Sequence, residues 1–228
     1  MATALTVPLR LYAIESAVVS GVAALLILHV DRPLALYMSQ DIATLPRAGL
    51  DAVAHLGRGE YYLALAIPMA ALGLWLLRGR QMMVRGQTML GWALLRAGLL
   101  ITATLAAGHL LVFAMKQGLS RLRPVELMQD GVYGFVTPFS GEPFTSLPSS
   151  HCFTAFAMAA VLSRLAPALR AAFFSAALLV AVQRLLAHHH FLSDVFVSLF
   201  LALMVSEVMH AVWQAALPAL SRRLMEKP

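Results

Sequence analysis

Residues 89–124 read MLGWALLRAGLLITATLAAGHLLVFAMKQGLSRLRP, and the fold is decided there. From Met89 to Met115 the only permanently charged side chain is Arg96. A helix crosses a bilayer with about 20 apolar residues, and this run exceeds that. Lipid offers backbone N–H and C=O groups no partners, so a crossing segment must close its hydrogen bonds internally as a helix. The run stops at Lys116, and Arg123-Pro124 follows seven residues later. If the helix continues, Lys116 and Arg123 share one face two turns apart.

The rest of the 228 residues repeats the pattern. Hydrophobic residues make up 60% and charged residues 12%, with a mean hydropathy of +0.77. A soluble globule carries roughly 25% charged residues, so that class is excluded. Further apolar stretches lie near Leu11–Val30, Tyr61–Leu77, His151–Ala166, Leu169–Ala187 and Leu192–Leu217. The expected fold is all-α: a single polytopic membrane domain over residues 1–228 with six transmembrane helices. No repeat or linker divides it. Between Asp31 and Glu60, Pro33, Pro46 and mixed charges suggest a short interfacial helix. The first run follows Arg10 without a small-residue cleavage site, which predicts a retained span rather than a signal peptide. The lone Cys152 leaves no intrachain disulfide.

The net charge of +6 does not call for nucleic acid, because the arginines flank apolar runs as membrane topology signals do. One side collects nine: Arg10, Arg78, Arg80, Arg85, Arg164, Arg170, Arg222, Arg223 and Lys227. The other has seven: Arg32, Arg47, Arg58, Lys116, Arg121, Arg123 and Arg184. The excess places both termini in the cytoplasm of a plasma (inner) membrane protein. Trp75, Trp92 and Trp213 fall toward that same face, as an aromatic belt would.

Three polar clusters then open on the opposite side. They are Lys116 with Arg123-Pro124, Pro148-Ser149-Ser150-His151, and Arg184 with His190 and Asp194. A phosphate dianion wants cations and directed donors. Arg123 and Arg184 offer bidentate forks, and Lys116 supplies a point charge. Ser149 and the first N–H groups of the following helix add donors at its positive end. His190 is the candidate nucleophile, with Asp194 four residues on to fix its tautomer. His151 is placed to protonate the departing oxygen and then to activate water. Fixed cations supply the charge stabilisation, so neither metal nor cofactor is called for.

These residues fall into three ordered motifs. KQGLSRLRP is Lys-x6-Arg-Pro, PSSH is close to Pro-Ser-Gly-His, and QRLLAHHHFLSD contains Arg-x5-His-x3-Asp. The set resembles the type 2 phosphatidic acid phosphatase family, also called lipid phosphate phosphatases, which shares its site with vanadium haloperoxidases. The likeness runs from about residue 50 to 209, including Leu56-Gly57-Arg58-Gly59-Glu60. It implies the helical bundle of that family, with Lys116, Arg123, Ser149, Ser150 and Arg184 binding phosphate. It also implies that His151 is the acid and that His190 with Asp194 forms the nucleophile. Ser150 stands where glycine is usual, and Gln183 where serine is usual, a peripheral position in this reading.

The expected activity is metal-independent hydrolysis of a lipid phosphate or pyrophosphate. Phosphatidic acid, phosphatidylglycerol phosphate, undecaprenyl pyrophosphate and lipid A phosphates are the candidates. The expected partners are that lipid and the bilayer, with no nucleic acid and no obligatory protein. Three rivals stay open: a phosphotransferase passing the group to a second lipid, an anion-binding transporter or scaffold, and a metal-dependent hydrolase. His188 and His189 read as rim residues rather than a metal tract, and Cys152 as packing beside His151. His109 reads equally as support for the site from below or as a satisfied core histidine. Arg96, Glu15 and Glu207 lie within spans, where charge is costly; Arg96 is expected to pair with one of the two glutamates.

Overall fold

The computed structural model describes residues 9–39, 47–78 and 85–225. Within these, nine α-helices follow one another: α1 Leu9–His29, α2 Asp31–Met38, α3 Arg47–His55, α4 Gly59–Arg78, α5 Arg85–Leu119, α6 Pro124–Asp130, α7 Ser150–Leu165, α8 Arg170–Leu186 and α9 Leu192–Met225. No strand longer than a single bridge, Arg121 with Phe135, occurs among them. The 31–60 segment holds two short helices, α2 and α3, where one was expected. Pro46, and Arg80 and Lys227 of the charge count, lie outside the described residues.

Among the described residues five helices are long and apolar enough to cross a membrane: α1, α4, α5, α8 (with the turn before it) and α9. The expected count of six is not reached by length and composition. The shortfall is α7, which has only 16 residues. At about 1.5 Å per residue it is roughly 24 Å long, short of the ~30 Å hydrocarbon core. It is instead the centre of the bundle, buried without a break from Cys152 to Val161. Its alanines let α5, α8 and α9 approach closely, the small-residue packing used where lipid removes the hydrophobic drive between helices. The same device joins α4 to α5, where a Cβ on Gly73 would stand 2.5 Å from the Leu95 nitrogen. Leu28, Leu65, Trp75, Leu110 and Leu178 point outward, as a lipid-facing surface requires.

Two sequence expectations about packing are corrected here. Glu207 pairs with Arg164, not with Arg96, and Glu15 is exposed. Arg96 Nε is buried without a hydrogen-bond partner among the described residues. Trp213 is buried in the core rather than standing in a belt with the exposed Trp75.

Candidate active site

The α5 helix ends at Leu119, and Ser120 turns the chain with a φ of 42°. Lys116 and Arg123 therefore do not share a helical face; Arg123 sits in extended conformation as the N-cap of α6. They meet on one residue nonetheless. Lys116 Nζ donates to the Thr145 carbonyl, and Arg123 Nη2 donates to the Thr145 hydroxyl at 3.0 Å. The next residue, Ser146, takes the third motif. His190 Nδ1 lies 2.8 Å from its carbonyl, and its hydroxyl donates to Asp194 Oδ2 at 2.6 Å. Two consecutive loop residues thus tie together Lys116, Arg123, His190 and Asp194.

The histidine–carboxylate contact differs from the one expected. His190 lies before α9 begins, so the helical four-residue spacing does not apply. Its Nδ1 is 3.7 Å from Asp194 Oδ2, beyond hydrogen-bond range. A carbonyl only accepts, so the bond to Ser146 puts the hydrogen on Nδ1 and leaves the Nε2 lone pair free. The Ser146 carbonyl, rather than Asp194, sets the tautomer; Asp194 acts through charge. Its Oδ2 is also held by the Phe191 N–H at 2.8 Å, and its Oδ1 by Arg121 Nη1 at 2.5 Å.

Sequence reasoning had counted Arg121 only as a topology charge. It is fully buried, ringed by Phe191, Phe135 and Tyr133 with its guanidinium 4.5 Å from the Phe191 ring centre. Besides Asp194 it holds Asp31 at 2.8 Å, a buried carboxylate at the start of α2. Asp31 in turn accepts from the Ser193 N–H at 3.0 Å and hydroxyl at 2.5 Å. The only hint in the sequence was a charged residue at each of two apolar boundaries.

The middle motif opens α7. Ser149 is the N-cap, its oxygen accepting from Cys152 N–H at 3.3 Å while its own N–H donates to Ser198 Oγ at 2.8 Å. Buried in that role, it keeps only its hydroxyl hydrogen for a ligand. The Ser150 and His151 N–H groups are first-turn donors with no intrahelical acceptor, so an anion at this helix end meets both. Gly57 backs His151 closely; a Cβ there would come within 2.8 Å of His151 Cβ. Arg184 Nε donates to Gln183 Oε1 at 2.5 Å, so Gln183 is a buried orienting partner rather than a peripheral residue. Among the described residues no protein acceptor takes the two terminal nitrogens of Arg184. Arg123, by contrast, is engaged by Glu142 at 2.9 Å.

The other histidines separate by exposure. His189 is exposed, His188 half-buried and His190 buried. His109 is a satisfied interior group, 3.0 Å from Thr154 Oγ1 and edge-on to Phe153. Cys152 is fully buried, so reagents do not reach it.

The charges of the three clusters act on the two histidines. Burial lowers the His190 pKa to about 4; Asp194 opposes the shift, while Lys116 and Arg123 add to it. His151, outside the five membrane-length segments, is also lowered to about 4, by burial first and then by Arg184, His190, Arg58 and His189. At neutral pH both rings are uncharged.

Comparison with known proteins identifies the family. Over 103 residues the chain is 34% identical to the lipid A 1-phosphatase of Rhizobium etli, covering 45% of this chain and 44% of that protein. Over 97 residues it is 34% identical to the lipid A 1-phosphatase of Rhizobium johnstonii, covering 42% and 39%. It thus spans less than half the length of these relatives. The crystal structure of a PAP2-type phosphatidylglycerolphosphate phosphatase from Bacillus subtilis superposes with a TM-score of 0.60, at 18% identity over 91% of this chain and 96% of that one. Residues 96–217, more than half of the chain and including all three motifs, match the profile of the PAP2 superfamily, and the chain is an integral membrane protein belonging to that family.

Proposed function

We propose that this protein is a membrane phosphatase that removes phosphate from a lipid through a phosphohistidine. The carrying observation is His190: buried, with its Nδ1 hydrogen committed to the Ser146 carbonyl and its Nε2 lone pair free, under the influence of the Lys116 and Arg123 cations of another motif. Nε2 attacks phosphorus, the bond from phosphorus to the lipid oxygen breaks, and His151 protonates that oxygen. His151 then takes a proton from water, which attacks the phosphohistidine and releases inorganic phosphate. Lys116, Arg123, Arg184 and the opening of α7 hold the phosphoryl oxygens throughout. His151 is neutral in the empty site; a dianion beside it raises its pKa, so its proton arrives with the substrate.

Lipid A 1-phosphate is the first substrate to test, because both curated relatives carry that activity in their names. Phosphatidylglycerol phosphate, phosphatidic acid and undecaprenyl pyrophosphate complete the panel. Purified protein in excess chelator should release inorganic phosphate, fastest from lipid A 1-phosphate. Release from none of the four would sink the proposal, and loss of release in chelator would sink its metal-free form.

The pH profile carries a second expectation. Protonation of His190 removes its lone pair, so acid inactivates. With the pKa near 4, kcat/KM corrected for the ionisation of the substrate itself should hold down to about pH 5. An acid limb near the ordinary histidine value of about 6.5 would contradict the buried, cation-flanked ring.

The charge count favours an extracytoplasmic site with both termini cytoplasmic. Because Cys152 is buried, a Val132→Cys variant carries one reactive thiol, at a position 49% exposed. A membrane-impermeant maleimide should label it on intact cells; labelling only after lysis would invert the topology.

A further inference from the structure

Asp31 is a buried titratable group that this chemistry leaves without a task. It opens α2, lies outside the residues matched by the family profile, and is 1% exposed. An enclosed carboxylate costs several kcal/mol in desolvation unless it is well paired. Here both oxygens are occupied: Oδ2 by Arg121 Nη2 at 2.8 Å and Ser193 Oγ at 2.5 Å, Oδ1 by the Ser193 N–H at 3.0 Å. The Arg121 guanidinium bridges it to Asp194, with Nη1 on Asp194 Oδ1 at 2.5 Å. From Asp31 to the active site the charges therefore alternate: carboxylate, guanidinium, carboxylate, imidazole.

The sum of that chain matters more than any one contact. Arg121 alone would cancel Asp194, and His190 would face a neutral pair. With Asp31 on the far side the guanidinium is shared, and the three groups carry one net negative charge. When Nε2 bonds to phosphorus while Nδ1 keeps its hydrogen, the ring becomes cationic. Asp194 Oδ2 stands 3.7 Å from Nδ1, where that positive charge develops. In a dry site a net charge at this range acts far more strongly than in water.

We propose that Asp31 is a positioning residue for phosphoryl transfer: by sharing Arg121 with Asp194, it keeps a net negative charge beside His190 as the phosphohistidine forms. The proposal rests on His190 being the nucleophile. A purely structural role, anchoring α1 and α2 to the bundle, makes a different forecast, since activity would then be lost only together with the folded protein.

The test compares purified full-length wild type, Asp31→Asn, the double variant Asp31→Asn/Arg121→Gln, and His190→Ala as a control. The measurements are kcat, KM, the inhibition constant of inorganic phosphate, and the size-exclusion profile, on whichever lipid phosphate the wild type turns over. Asp31→Asn should lower kcat by about 10- to 100-fold, the range seen when an orienting outer partner is removed. Its KM and phosphate inhibition constant should stay within about threefold, because Lys116, Arg123 and Arg184 keep their charges. The double variant leaves Asp194 as the one negative charge beside His190, still held by the Ser146 hydroxyl and the Phe191 N–H, so its kcat should return to within about fivefold of wild type.

A kcat for Asp31→Asn within threefold of wild type would overturn the proposal. So would equal losses of kcat and phosphate affinity, or a double variant no more active than the single one. If Asp31→Asn aggregates, the double variant decides alone: folded and active supports the proposal, aggregated or inactive overturns it. Turnover by His190→Ala would instead sink the nucleophile assignment, a separate failure.

Discussion

Replacing His190 with alanine should reduce phosphate release by about ten-thousandfold or more, with KM little changed. The residue is asked to form the covalent bond that splits a difficult hydrolysis into two easier steps, and no nearby group can take its place. His151 has its own part in the reaction, and His188 and His189 lie at the rim. Anion binding does not depend on the imidazole, so inorganic phosphate should still compete for the variant. The decisive measurement is single-turnover labelling with a 32P-lipid followed by alkaline denaturation, which preserves phosphohistidine. Wild type should show a transient acid-labile label and His190→Ala none. Unchanged labelling in the variant would move the covalent step elsewhere.

Arg121→Gln by itself should destabilise the folded protein by about 3–5 kcal/mol, the range observed when one partner of a buried ion pair is removed. Two carboxylates would then face each other with no cation between them, in a cage where Arg121 and both acids have fully buried side chains. The variant can relieve this by protonating one acid or by opening the junction between α1, α2 and α9. Either route should show as a lower midpoint in SDS titration of the reconstituted protein, accompanied by loss of activity. A midpoint unchanged from wild type would mean that solvent reaches the cage. Adding Asp31→Asn should recover much of the lost stability, because the surviving acid is then alone.

Much of the architecture is legible in the residues because lipid imposes a simple code. Apolar runs had to become helices, and five of the six expected spans match membrane-length helices to within a few positions, apart from longer ends on α5 and α9. The motif residues were legible because charged and polar groups recur together at set spacings, which topology signals alone do not require. The binding contacts were not. Thr145 and Ser146 each serve through a hydroxyl and a backbone carbonyl, the latter supplied by any residue type, and they lie in an irregular loop without periodicity. Ser120 adopts a left-handed turn with no Asn or Gly to announce it, which broke the expected helical register from Lys116 to Arg123. The Arg121 pairs join residues 90 and 73 positions apart, and one sequence holds no record of such pairing. The sixth expected segment falls below membrane length for another reason: α7 is surrounded by protein, so its length answers to its neighbours rather than to bilayer thickness.

The Asp31–Arg121 bond also limits how the chain can be recombined. A hybrid that takes its first two helices from a relative and the remainder from this protein would strand a buried guanidinium unless the donor supplies an acid at the corresponding place. Such grafts should succeed or fail with that single acid, however well the lipid-facing surfaces agree.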